Sequence, residues 1–152
     1  MFGKSGRTIN FRVYGEGELK KALVRYAEQL GISEAVKFHG FSSEIHKIMA
    51  ESAIYVSSSD YEGISNSMLE ALAIGIPAVC TDCPVGGARM YIRDGENGYL
   101  IPVGDADVMA DRMLALMEDK KLGESFSKES VKIREELTDD RIFGMWKALL
   151  VR

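Results

Sequence analysis

The sequence predicts an α/β fold built on a parallel sheet, and three observations point there. Short β-rich runs alternate with helical patterns along the whole chain, the signature of strands joined by crossover helices. The helical stretches place apolar residues at i, i+3 and i+4, so each has one face to bury. The 152 residues, 46% hydrophobic and 28% charged, suffice for one domain with a substantial core.

Strands are predicted at 9–14, 36–39, 53–57, 78–82 and 99–103. A first helix over about 18–30 aligns Leu19, Ala22, Leu23, Tyr26, Ala27 and Leu30 on one face, and Gly31 stops it. A short helix spans 43–50. The next, about 65–74, starts at the small polar run Ser65, Asn66, Ser67 and ends at Gly75 and Pro77. Later helices are expected at 105–118, 121–136 and 139–150. Val108, Met109, Met113, Leu116 and Met117 form the stripe of the first of these, and core packing explains it better than an adaptable binding surface. In the last, Ile142, Phe143, Trp146, Leu149 and Leu150 are apolar enough to need a docking surface.

Net charge is −4 with scattered basic residues, so no nucleic-acid footprint is present. No run reaches the 18 or so apolar residues needed to span a bilayer, and the amino terminus lacks the apolar core of a secretory signal. A cytoplasmic protein is expected, with docking at the inner membrane surface open through a longer parent. Cys80 and Cys83 have the C-x-x-C spacing of a redox pair or half a zinc site. Without a second Cys/His pair, the reading is a buried strand cysteine followed by a turn cysteine. His39 and His46 are each alone, so no metal site is assigned. Gly15-Glu16-Gly17 lacks the third glycine of a dinucleotide fingerprint, since position 20 is Lys20.

The stretch 61–77 is the most informative. Glu62 and Glu70 have seven residues between them across a loop-to-helix junction, among them Gly63 and the polar run. The helix from Met68 to Ile74 is apolar on nearly every side, which implies burial, and Glu70 is its only charge. A buried carboxylate needs a partner, either a protein group or the hydroxyls of a ligand. Eight residues of helix rise roughly 12 Å, whereas a glycosidase pair stands about 5–10 Å apart. Each carboxylate is therefore read as gripping a different part of one ligand. The free N–H groups at the helix start, with Gly63 allowing close approach, suit an anion there.

These residues also carry a family resemblance. The string Ser59-x-x-Glu62-Gly63, followed by Glu70-Ala71-x-Ala73-x-Gly75-x-Pro77, resembles the nucleotide-diphospho-sugar glycosyltransferases of retaining family four (glycosyl transferases group 1). The likeness continues through 79–82, 94–98 and 101–105, and upstream through 13–19 and 36–41, covering roughly residues 9–118. It implies a Rossmann-like parallel sheet with flanking helices, the carboxy-terminal, donor-binding half of a GT-B fold. Residues 1–152 are then one nucleotide-sugar-binding domain of a two-domain enzyme. The family transfers a sugar from a nucleoside diphosphate sugar to a hydroxyl acceptor, usually without a bound metal, and no cofactor is expected. By resemblance, Glu70 binds the ribose hydroxyls and Glu62 positions the sugar as the catalytic-site carboxylate. Gly63, Ile64, Ser65, Asn66, Ser67, Gly86 and Gly87 face the sugar and diphosphate, and Phe41 and Ser42 border the base. Arg89 is read equally as a phosphate contact or a solvated surface arginine. Asp82-Cys83-Pro84 resembles members using UDP-sugars, so a UDP-sugar is favoured.

The chain starts just before what would be the family's second strand. The first strand and helix, with their phosphate-contacting Arg and Lys, and the acceptor-binding amino-terminal domain of the parent are expected to be missing. The lost strand would lie between those at 9–14 and 53–57, so closure of the gap or self-association is expected. Alone, the chain is expected to be inactive. Two other readings stay open: a non-catalytic nucleotide-sugar-binding module, and a nucleotide-sugar epimerase on the same fold.

Overall fold

A computed structural model of the protein describes residues 9–151. The elements run β1 (Phe11–Val13), α1 (Lys20–Gln29), β2 (Val36–Phe38), α2 (Ile45–Ala50), β3 (Tyr55–Ser57), α3 (Asn66–Ile74), β4 (Ala78–Thr81), β5 (Gly98–Ile101), α4 (Ala106–Glu118), α5 (Lys120–Ser130), α6 (Ile133–Glu136) and α7 (Asp139–Leu150). A single 3-10 turn, Ala88–Met90, lies between β4 and β5. The chain divides into two compact units, Met1–Ile45 and His46–Arg152.

In the first unit β1 and β2 pair in parallel, Phe11 opposite Val36 and Val13 opposite Phe38. Beyond the strands, the Tyr14 and His39 rings stack at 4.6 Å and the Gly15 N–H donates to the Gly40 carbonyl. Of α1 only Ala27 is buried. Leu19, Leu23, Tyr26 and Leu30, the predicted apolar face, are exposed.

The second unit is a three-stranded parallel sheet in the order β3-β4-β5 with helices on both faces. Central β4 is buried at every residue, as a parallel strand covered on both sides must be. Alternation sorts its side chains. Ala78 and Cys80 join Met68 and Leu72 of α3, Ile92 and Ile133 on one face. Val79 joins Ile101, Leu116 of α4 and Phe126 of α5 on the other. Val108, Met109 and Met113 pack against that second cluster, so the methionine-rich stripe is core.

The helix ends follow from local chemistry. Ser65 caps α3, accepting from the Met68 N–H at 3.5 Å, and Gly75 closes it at φ 97°, a left-handed conformation that suits glycine. Asp105 caps α4 and Asp119 caps α5 through the N–H of the third residue onward. The helix expected over 121–136 is instead two. α5 ends at buried Ser130, whose hydroxyl donates to the Phe126 and Asn97 carbonyls. After a turn at 131–132, α6 lets Arg134 Nε donate to the Ala73 carbonyl at 2.6 Å, capping α3 from another element. No residue of α7 is buried.

Among the described residues no helix is long and apolar enough to cross a membrane. The fold is the α/β class predicted, with parallel sheets and flanking helices, though the strands form two sheets rather than one.

Candidate functional site

The site grows out of two loops at the carboxyl ends of β3 and β4, where open parallel sheets present their ligand crevices. The loop after β3 carries 58–65 into α3; the loop after β4 carries 82–87. They are laced together. The Glu62 N–H donates to the Pro84 carbonyl at 2.9 Å, and the Val85 N–H returns a bond to the Glu62 carbonyl at 3.1 Å. Gly87 is buried against this pairing: a Cβ there would overlap the Gly63 carbonyl and stand 2.7 Å from the Ile64 nitrogen. Thr81 Oγ1 adds a bond to the Ser59 carbonyl at 2.5 Å. The backbone under Glu62 and Gly63 is thus fixed by protein on its inner side.

Its outer side is open. Nothing lies within 4 Å of a Cβ built on Gly63. Glu62 is exposed, and among the described residues its carboxylate has no protein partner. In the same frame, the N–H groups of Ile64, Ser65, Asn66 and Ser67 have no backbone acceptor. Four donors are therefore left free of backbone acceptors at the start of α3, where the helix dipole adds positive potential. The hydroxyls there are oriented by one another, Tyr55 to Ser67 at 2.8 Å and Ser67 to Ser65 at 3.1 Å.

Glu70 departs from expectation. Met68, Ala71 and Leu72 of α3 are buried, but the Glu70 side chain is 42% exposed. It lies on the half-open side of the helix, so no buried-charge penalty forces a partner on it. It has one nonetheless: His46 Nε2 lies 3.3 Å from Glu70 Oε2. Sequence reasoning missed His46, because the two residues belong to different helices 24 positions apart and only the packing of α2 beside α3 joins them.

Arg89 is neither free nor simply solvated. Its Nε and Nη2 hold both oxygens of Asp82 at 2.7 and 2.6 Å, a bidentate pair at the mouth of the second loop. That hydrogen bond, with the Asp82 charge, raises the guanidinium pKa further. Phe41, in the first unit, is 86% exposed, and Ser42 Oγ accepts from the Glu44 N–H. Cys80 sits in β4 and Cys83 in the following turn, both buried, as the spacing was read. Burial pushes the Cys80 thiol up to about 12. Among the described residues no cluster of His, Cys, Asp and Glu is arranged to hold a metal ion.

The 94–98 string serves the fold. Asp94 Oδ1 accepts from the Leu100 N–H, and buried Asn97 accepts from the Arg93 N–H while donating to the Tyr91 carbonyl.

Comparison with known proteins agrees with this architecture. The family model described as glycosyl transferases group 1 matches residues 3–132. The chain is 36% identical over 140 residues to EpsD of Bacillus subtilis (strain 168), covering 90% of this chain and 36% of that protein. It is 31% identical over 144 residues to the poly(ribitol-phosphate) alpha-N-acetylglucosaminyltransferase of Staphylococcus aureus (strain COL), covering 94% of this chain and 29% of that one. A crystal structure of a mutant S. aureus TarM in complex with fondaparinux, alpha-GlcNAc-glycerol and UDP superposes with a TM-score of 0.86 at 31% identity, over 92% of this chain and 28% of that one. The chain thus spans about a third of the curated relatives it matches, and its fold corresponds to the carboxy-terminal half of a GT-B glycosyltransferase. With the family match covering residues 3–132 of its 152, the chain belongs to the glycosyl transferases group 1 family.

Proposed function

We propose that residues 1–152 form the donor-binding domain of a two-domain retaining glycosyltransferase. It would bind a nucleoside diphosphate sugar, a UDP-sugar by preference, for transfer to a hydroxyl acceptor held by an amino-terminal domain of the parent protein. The observation that carries this reading is the cluster at the start of α3. Four N–H donors without a backbone acceptor and Glu62, whose carboxylate has no partner among the described residues, share one backbone platform locked by Gly87. UDP in the structure of the TarM mutant supports the choice of nucleotide.

In this reading the N–H groups of Ile64 to Ser67 receive the diphosphate, whose negative charge grows as the sugar departs. Donors already aimed at that charge stabilise the transition state without reorganising. Glu62 holds sugar hydroxyls so that the anomeric carbon is presented in one orientation. Glu70, one turn along α3, accepts hydrogen bonds from the ribose. Gly86 and Gly87 keep the second loop close to the sugar-phosphate region. Arg89, held by Asp82, can swing only if that bidentate pair opens.

Calorimetry with UDP and GDP on the wild-type chain and on Glu70→Gln tests the reading. A charge-assisted hydrogen bond contributes about 1.5–3 kcal/mol. Because Glu70 is half-exposed and water competes for it, the loss is expected near the lower end, about tenfold in affinity. Equal affinities of the two proteins for UDP would reject the ribose assignment.

A further inference from the structure

We propose that His46 is a positioning residue for Glu70: it fixes the carboxylate in the orientation that receives the two ribose hydroxyls of a nucleoside diphosphate. The inference rests on the reading of Glu70 as the ribose-binding group.

Glu70 is the fifth residue of α3. Its backbone is fixed, because Met68, Ala71 and Leu72 on either side of it are buried. Its side chain is not fixed by packing, being 42% exposed. A glutamate on an open helix face spreads over many rotamers, and ordering such a side chain at the moment of binding costs affinity. Recognition of a vicinal diol needs both carboxylate oxygens aimed at once, so that cost falls directly on ribose binding. His46 removes much of it. Its Nε2 lies 3.3 Å from Oε2, and among the described residues Oε1 has no partner. Each carboxylate oxygen offers two lone pairs. The imidazole lies against one side of the carboxylate at Oε2, limiting the rotamers open to it, and leaves acceptor sites on both oxygens.

The same pair is poorly suited to holding the fold together. His46 is 65% exposed, and exposed ion pairs contribute little to stability. A contact that supports the fold weakly, yet pins the one charge of α3, has its use in the ligand.

Titrations of UDP and 2′-deoxy-UDP, followed by NMR on the 152-residue chain, test this in the wild type, His46→Ala, His46→Gln and Glu70→Gln, with thermal midpoints measured alongside. His46→Ala should weaken UDP by about 3- to 10-fold, the range of ordering one rotamer-rich side chain on binding. It should leave 2′-deoxy-UDP within about twofold, since the diol that needed both oxygens is gone. His46→Gln retains a donor and should keep most of the UDP affinity. Thermal midpoints should agree across the set. If Glu70→Gln and loss of the 2′-hydroxyl weaken binding but His46→Ala does not, the positioning role is wrong and the ribose assignment stands. If His46→Ala weakens both ligands equally, it acts elsewhere than on the diol and the inference fails. Should neither Glu70→Gln nor the deoxy ligand change the affinity, or should the wild type not bind UDP, the ribose reading falls and takes this inference with it.

Discussion

Gly87 packs so closely on Gly63 that no side chain fits between them: a Cβ at 87 would overlap the Gly63 carbonyl. The obstacle is backbone on a loop already fixed by the Glu62 to Pro84 and Val85 to Glu62 bonds, so neither side can yield without breaking the platform. Gly87→Ala should therefore destabilise the protein by about 1–3 kcal/mol and abolish nucleotide binding together with it. Gly63→Ala meets nothing within 4 Å and should leave the thermal midpoint nearly unchanged. Any loss of UDP affinity in Gly63→Ala then reports on the ligand side of the loop. Chemical denaturation of the two variants checks the contrast, and equal stabilities would contradict it.

Cys80 gives a pH dependence with a defined sign. Burial raises its thiol from 9.0 to about 12, so the folded state keeps the proton where the unfolded chain has lost it. The contribution is complete below about pH 9 and is lost as pH rises from 9 towards 12, at up to about 1.4 kcal/mol per pH unit. Urea melts between pH 8 and pH 11 should show stability falling more steeply in the wild type than in Cys80→Ala. A thiol reagent at pH 8 should label the denatured chain and spare the native one. Parallel pH slopes for the two proteins would show that Cys80 does not titrate as its burial requires.

The elements and the family were legible because period and punctuation were clear: Gly31, Gly75 and Pro77 closed segments whose apolar spacing had already declared them. The C-x-x-C pair resolved as a strand and a turn residue for the same reason. What could not be read depends on contacts between segments far apart in the chain. The break between α5 and α6 has no glycine or proline to announce it; it forms where Ser130 bonds the Asn97 carbonyl and Arg134 reaches Ala73. Gly63 belongs to the site by its place before the helix start and Gly87 by resemblance, but the steric reason for Gly87 is visible only once the loops meet. The expectation that Glu70 is buried failed because the helix around it, apolar in composition, keeps one side partly open. The same opening brings His46 to it.

Apolar surface predicts self-association. Phe143, Trp146, Leu149 and Leu150 of α7 are 60–77% exposed, and a patch of such residues along one helix favours burial against another surface. Sedimentation across a concentration series should show a reversible shift to larger species. Trp146 is the only tryptophan, so its emission should move to the blue as association proceeds. Leu149→Lys should push the equilibrium towards monomer, and a strict monomer with concentration-independent emission would contradict this.

Sugar transfer is predicted to be absent from the 152-residue chain alone. Transition-state stabilisation in this reading needs an acceptor bound opposite the donor, and the groups assigned here all serve the donor. Incubation with a panel of UDP- and GDP-sugars and simple hydroxyl acceptors should yield no product. Turnover by this chain would mean that its own residues complete the site.

Residue-resolved NMR titration with UDP asks whether a nucleoside diphosphate binds at the start of α3. Saturable shifts are expected in the amides of Ile64 to Ser67, at Glu62 and Glu70, and at Gly86 and Gly87, with an affinity in the high micromolar to millimolar range, about −4 to −5.5 kcal/mol. Glu70→Gln should weaken them about tenfold. Saturable shifts confined to other parts of the chain, or none at millimolar UDP, would contradict the account.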